Sequence, residues 1–116
     1  MKRLVALIAA FLLLTGQLAQ AAYNTVEKQS FSNISATTAS FTLRGGNYGV
    51  TCHATFGGGS IVLQRLSPDG SSYVNVITAL TADGYANNNL PSGTYRLAIT
   101  TATGVYCDIV ATVTTQ

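Results

Sequence analysis

Charged residues are scarce in this sequence. Asp, Glu, Lys and Arg make up 9 % of it, six basic and four acidic. Lys2 and Arg3 stand at the extreme N-terminus; without them Lys28, Arg44, Arg65 and Arg96 balance Glu27, Asp69, Asp83 and Asp108. The overall charge of +2 therefore belongs to the first residues, and the rest of the chain is neutral. With no basic stripe there is no electrostatic source for binding a phosphate backbone, so nucleic acid is not an expected partner. So few charges suit a surface that neighbours cover.

Histidine is nearly absent as well. His53 is the single one, next to Cys52. In an extended strand adjacent side chains point to opposite faces, so these two cannot share a metal or a proton. A metal needs three or four ligands, and one imidazole with four scattered carboxylates does not supply them; no metal and no cofactor are expected. There is no Gly-x-Ser-x-Gly elbow. Gly57-Gly58-Gly59 joins strand to strand, whereas a phosphate loop needs a helix N-terminus after it. Asp69 and Asp83 read as turn residues and Asp108 as outward-facing, which argues against a glycosidase pair. Serines are numerous enough to leave a Ser-His-Asp set open, but no convergent polar set is legible, and the chain reads as non-enzymatic, with a surface or structural His53. An apolar period of 3.6 residues is also missing, which excludes amphipathic helices as the framework.

What is present begins with a secretory leader. Met1-Lys2-Arg3 precedes a nearly unbroken apolar run from Leu4 to Leu14, and Ala19-Gln20-Ala21 forms a small-x-small cleavage site. The run, about 11 residues, is short for a bilayer crossing. The expected division is a signal peptide over 1–21, a flexible start over 22–26 and one domain over 27–116, about 95 residues after cleavage. The alternative is an uncleaved anchor. Cleavage implies a secreted, periplasmic or particle-surface protein with no membrane span left.

The domain is rich in Thr, Ser, Gly, Tyr, Val and Ile, with repeated period-two patterning. Tyr48, Val50, Cys52, Ala54 and Phe56 share one face of a strand; Val105, Cys107, Ile109, Ala111 and Val113 share one face of another. Tyr95, Leu97 and Ile99 form a third inward set, and Phe41 with Leu43 a fourth. Ser67-Pro68-Asp69-Gly70 turns Ile61–Leu66 back into Tyr73–Ile77 as a hairpin. Asp83-Gly84 and Leu90-Pro91-Ser92-Gly93 bracket a strand at Tyr85–Asn89. About eight short strands at spacings of 8–12 residues predict an all-β fold, a single small antiparallel β-sandwich.

Cys52 and Cys107 are the only cysteines, and both fall on apolar strand phases. In an oxidising compartment they are expected to form a disulfide; two buried free thiols are the alternative if the chain stays in the cytoplasm. Tyr23, Tyr73, Tyr85 and Tyr106 fall outside the apolar phases and are candidates for surface recognition of protein or sugar, with Asn87-Asn88-Asn89 as hydrogen-bonding neighbours. Leu43 to Val50 and Leu90 to Leu97 echo each other through Leu, Gly, Tyr and an aliphatic, and both read as Gly-x-Tyr openings of strands.

The order of motifs carries a resemblance. Gly45-Gly46-Asn47-Tyr48, Phe56 to Gly59, Ile61-Val62-Leu63-Gln64, Pro68-Asp69-Gly70, Leu90 to Arg96 and Ala102 to Tyr106 follow one another as in a group of short phage and prophage β-proteins, which the stretch from Gly45 to Val113 resembles. The resemblance implies a minor virion or particle-surface component and supplies no catalytic residue. The leader and the cysteine pair depart from that group; a membrane-containing or extruded virus, or a host gene of prophage descent, reconciles them. Leu90-Pro91-Ser92-Gly93-Thr94-Tyr95 also looks like the strand opening of prealbumin-like and immunoglobulin-like surface modules. The expected function is a structural or interaction protein whose partners are further copies of itself or virion or cell-surface components. A secreted carbohydrate- or receptor-binding module is the alternative.

Overall fold

The computed structural model describes residues 26–112. The leader, Tyr23, residues 22–25 of the flexible start, and Val113 lie outside the described residues. Eight strands follow in order: β1 (Lys28–Ile34), β2 (Phe41–Leu43), β3 (Gly46–Thr55), β4 (Ser60–Leu66), β5 (Tyr73–Asn75), β6 (Gly84–Leu90), β7 (Gly93–Thr100) and β8 (Thr103–Ala111).

Their pairing is nested. β4 pairs with β5, β3 with β6, β2 with β7 and β1 with β8, all antiparallel. This is one long hairpin folded over on itself, and the β3–β8 and β4–β7 ladders close the roll. Two four-stranded sheets result, β1-β8-β3-β6 and β2-β7-β4-β5, the strand order of a jelly roll. The all-β sandwich expected from period two and turn chemistry is the fold observed.

The tip of the long hairpin is the Pro-Asp-Gly turn. Ser67 N–H donates to Ser72 O (2.7 Å) and Gly70 N–H to Ser67 O (2.9 Å), with Gly70 at φ 76°. Asp69 Oδ1 accepts from Ser71 N and Ser72 N, each at 2.9 Å. Those bonds favour the ionised carboxyl and hold it at about 2, well below its usual range.

The inward phases read from the sequence form the core. Tyr48, Val50, Ile61, Leu63, Tyr95, Leu97, Val105 and Ile109 are fully buried. Each large aliphatic among them contributes roughly 1.5–3 kcal/mol by leaving water. Ala54 and Ala111 are only half-buried, at the margins of their strands. β5 ends at Asn75, short of the expected Ile77: Val76 N–H donates to Leu63 O, and the chain then leaves and returns at the Ile61–Leu80 bridge. β1 has a broken alternation. A register shift between Phe31 and Ile34, with Asn33 at φ 53°, interrupts period two there.

The two Gly-x-Tyr openings are built alike. Tyr48 and Tyr95 are both fully buried, and each hydroxyl binds main chain just upstream: Gly45 N–H donates to Tyr48 Oη (3.0 Å), and Tyr95 Oη donates to Pro91 O (2.5 Å). A side chain at Gly45 would put its Cβ 2.9 Å from Ser92 N, so the two openings pack against each other at one end of the sandwich. Tyr48 Oη also donates to Glu27 Oε1, while both Glu27 oxygens accept from Arg44 N at 3.1 Å. The start of β1 is thereby clamped to the β2–β3 connection. Burial, then the Glu27 bond, raises the Tyr48 phenol above its ordinary value, so it stays a donor at neutral pH.

β2 is much shorter than β7, and threonine hydroxyls complete the ladder. Leu97 N–H donates to Thr38 Oγ1 (3.0 Å) and Ile99 N–H to Thr37 Oγ1 (3.1 Å). Main-chain donors that would otherwise be left open are satisfied by side chains.

Candidate recognition surface

The disulfide lies at the centre of one sheet. Cys52 and Cys107 are direct register partners on β3 and β8, bonded to each other, with Cα atoms 4.2 Å apart and both side chains in the core. Such a bond is compatible with an oxidising extracellular or periplasmic compartment.

The opposite, outward phase of the same sheet carries the exposed side chains. On β8, Tyr106 alternates with buried Val105 and Cys107 and is 49 % exposed; on β6, Tyr85 is 61 % exposed. Their positions follow from register: Tyr106 pairs with His53 and Tyr85 with Thr51, both on β3. The two tyrosines flank β3 from either side, offset by two residues along it. The Tyr85 ring packs over the neighbouring outward position, Gly49, where a Cβ would meet it at 2.9 Å. Asn87 Nδ2 donates to Tyr85 Oη (3.1 Å) and holds the ring in that seat.

Tyr73 belongs elsewhere. It stands on the other sheet, half-buried, with the Arg96 guanidinium 3.9 Å from its ring centroid. Arg96 Nε donates to Gln64 Oε1 and Gln64 Nε2 to Asn75 Oδ1, each at 2.9 Å. A cation on the aromatic face fixes the ring within a chain of polar contacts. The three tyrosines selected from the sequence thus split between two faces, and only Tyr85 and Tyr106 share one.

His53 has a partner that strand phase does not reveal. Its Nδ1 is 2.6 Å from Asp83 Oδ2, and Asp83 Oδ1 accepts from Ala54 N (3.1 Å). Where the sequence shows no polar group converging on His53, the structure supplies one: the loop before β6 returns beside β3 and delivers Asp83, which the sequence shows only as a turn residue. The His53 bond, then the Ala54 N–H, hold the Asp83 carboxyl below its ordinary value. Both side chains are well exposed, and the pair ties the loop to the strand. Among the described residues no three His, Cys, Asp or Glu side chains gather as metal ligands.

The flank of the sandwich beside β6 is grooved, with a volume of about 620 Å³ between β6 and the 75–80 segment. Asn88, half-buried on the inward phase, spans the two sheets by donating to Val76 O (3.3 Å). Asn75 closes β5 at this groove and Val76 follows just past its end, a termination with no signal in the alternation of Tyr73–Ile77. The opposite flank is closed by Phe31 of β1 against Phe41 of β2, with ring centroids 5.6 Å apart.

These features define an all-β jelly roll with one tyrosine-bearing outer sheet face. In fold it is similar to the crystal structure of SPBc2 prophage-derived protein YomS, with a TM-score of 0.51 over 76 % of this chain and 96 % of that one, at 11 % identity. At that identity the likeness is one of fold, and it agrees with the phage and prophage resemblance carried by Gly45 to Val113. No family model matches the chain, and no curated protein matches it.

Proposed function

We propose that the chain is a non-enzymatic structural and interaction protein, exported and displayed at a particle or cell surface, of phage or prophage descent. The observation that carries this reading is the outer face of the β1-β8-β3-β6 sheet. Tyr85 and Tyr106 are exposed there on rigid strands, in a domain whose charges are few and balanced. Tyrosine offers a large amphipathic contact at small entropic cost, which suits protein recognition. The leader, the disulfide and the fold likeness to a prophage-derived protein support the setting. His53 has Asp83 as its hydrogen-bond partner, and among the described residues no hydroxyl is bonded to it, so this His-Asp pair is read as a surface tie.

A second reading, a carbohydrate- or receptor-binding module, is favoured by one specific feature. The exposed Tyr85 ring packs over Gly49 with an amide at its hydroxyl, an aromatic platform of the kind a sugar ring can cover.

Expression with its own leader, followed by density-gradient fractionation, tests the first reading. The protein should travel with particles or the cell envelope in a form starting at Ala22. Recovery solely as a free cytoplasmic protein would refute it, and retention on a neutral glycan column by a protein absent from particles would favour the second reading.

A further inference from the structure

The two sheets expose four edge strands, β1, β6, β2 and β5. An edge strand carries unpaired main-chain groups that template further pairing unless something blocks it. Lysine is the common guard, and here only β1 has one, Lys28; β1 is also bulged between Phe31 and Ile34. β2 and β5 are three residues each, too short to template much. β6 differs on every count. It runs seven residues in unbroken register with β3, from Gly46↔Leu90 to Cys52↔Gly84, and contains no lysine, no proline and no bulge.

The disulfide reveals which of its groups are open. A Cα separation of 4.2 Å marks Cys52 and Cys107 as a non-hydrogen-bonded antiparallel pair. The N–H and C=O of Cys52 therefore point the other way, towards β6, and Cys52↔Gly84 is a hydrogen-bonded pair. Alternation along the ladder then directs Gly84, Ala86, Asn88 and Leu90 at β3. It directs the N–H and C=O of Tyr85, Asn87 and Asn89 away from the sheet. The same alternation predicts that Asn47 O points towards β8, where it accepts from Thr112 N at 2.8 Å. Among the described residues no protein group is bonded to the main chain of Tyr85, Asn87 or Asn89.

We infer that β6 is an assembly edge whose partner is a second copy of this chain. This rests on the association reading above and names its surface. The three open residues are spaced symmetrically about Asn87. In an antiparallel two-fold arrangement Asn87 faces Asn87 of the second copy and Tyr85 faces its Asn89, so every pair is of the hydrogen-bonded kind and closes both bonds. The contact is self-complementary, as a two-fold dimer requires. No charged side chain occurs on β6, so a second copy meets no like-charge repulsion. The product is one continuous eight-stranded sheet, with the Tyr85 platform of each copy brought to its centre. Main-chain bonds supply the affinity and the side chains of Tyr85 and Asn89 the register.

The test is molar mass by sedimentation at micromolar concentration, on the mature wild type, Asn87→Pro and Asn87→Lys. Proline removes an N–H that no described group uses, and edge strands tolerate it; lysine adds the missing guard without touching the main chain. The wild type should be a dimer, and both variants should show half its mass with an unchanged far-ultraviolet spectrum. In the wild type the amides of Tyr85, Asn87 and Asn89 should gain hydrogen-exchange protection as concentration rises. A wild-type dimer that Asn87→Lys leaves intact would overturn the edge and leave association standing. A strictly monomeric wild type that still travels with particles would overturn the second copy as partner, and one that does neither would overturn the association reading too.

Discussion

Reduction of the Cys52–Cys107 bond should destabilise the domain by about 4 kcal/mol. The bond joins positions 55 residues apart. Loop closure over that length removes about 14 cal/mol/K of entropy from the unfolded chain, which gives this figure at 25 °C. The native state should change little on reduction. Both cysteines sit in the core of adjacent strands, and the β3–β8 ladder continues on either side of them, from Tyr48↔Ala111 to Thr55↔Thr103. The effect thus acts through the unfolded ensemble, not through lost native contacts. A domain of this size has roughly 4–13 kcal/mol of total stability, so the reduced form should be marginal at body temperature. Urea unfolding of the oxidised and reduced wild type is the measurement. With a slope near 2 kcal/mol/M the midpoint should fall by about 2 M, and the slope should rise on reduction because the unlinked chain exposes more surface. A midpoint moved by less than about 0.5 M, given that slope, would refute the loop-entropy reasoning; two free thiols in the secreted protein would refute the bond itself.

Tyr48→Phe should cost about 1–3 kcal/mol, because the lost hydroxyl leaves the part-buried Gly45 N–H without its acceptor and leaves Glu27 with only the Arg44 N–H as donor; the shift in thermal midpoint checks it. Gly59→Ala should be among the most damaging single changes, at about 3 kcal/mol or more, since its Cβ would lie 1.8 Å from Thr100 O, and that main chain is fixed by β4–β7 pairing. Gly58→Ala, at φ 83° with open space around it, should cost only about 1–2 kcal/mol of backbone strain. The Asp69 carboxyl, held at about 2 against 3.8, has a depressed folded value, so its contribution is complete above pH 3.8 and is lost as pH falls towards 2. Asp69→Asn should therefore lower stability at neutral pH and flatten the acid limb in that window, as followed by unfolding at stepped pH.

The residues differ in how far they could be read in advance. Strand phase and turn chemistry are local: Val50 and Cys52, or Cys107 and Ile109, share a face because side chains alternate along any extended strand. Pro68-Asp69-Gly70 turns the chain because of what proline and glycine permit. Those rules were enough for the class of fold, the inward sets and the compatibility of the two cysteines. The candidate surface was legible only in part. Tyr85 and Tyr106 are outward by phase, yet their common face and the placing of Tyr73 on the other sheet depend on which strands become neighbours. Gly59 reads as one of a flexible run, and only the approach of Thr100 gives it a separate reason. Asp83 beside His53, the Thr37 and Thr38 hydroxyls on β7, the early end of β5 and the open edge of β6 are likewise products of pairing between distant segments. Alternation determines which way a side chain points, and it applies within a single strand. What lies opposite that side chain is decided when the long hairpin rolls up, because nested pairing brings together residues that no local pattern connects.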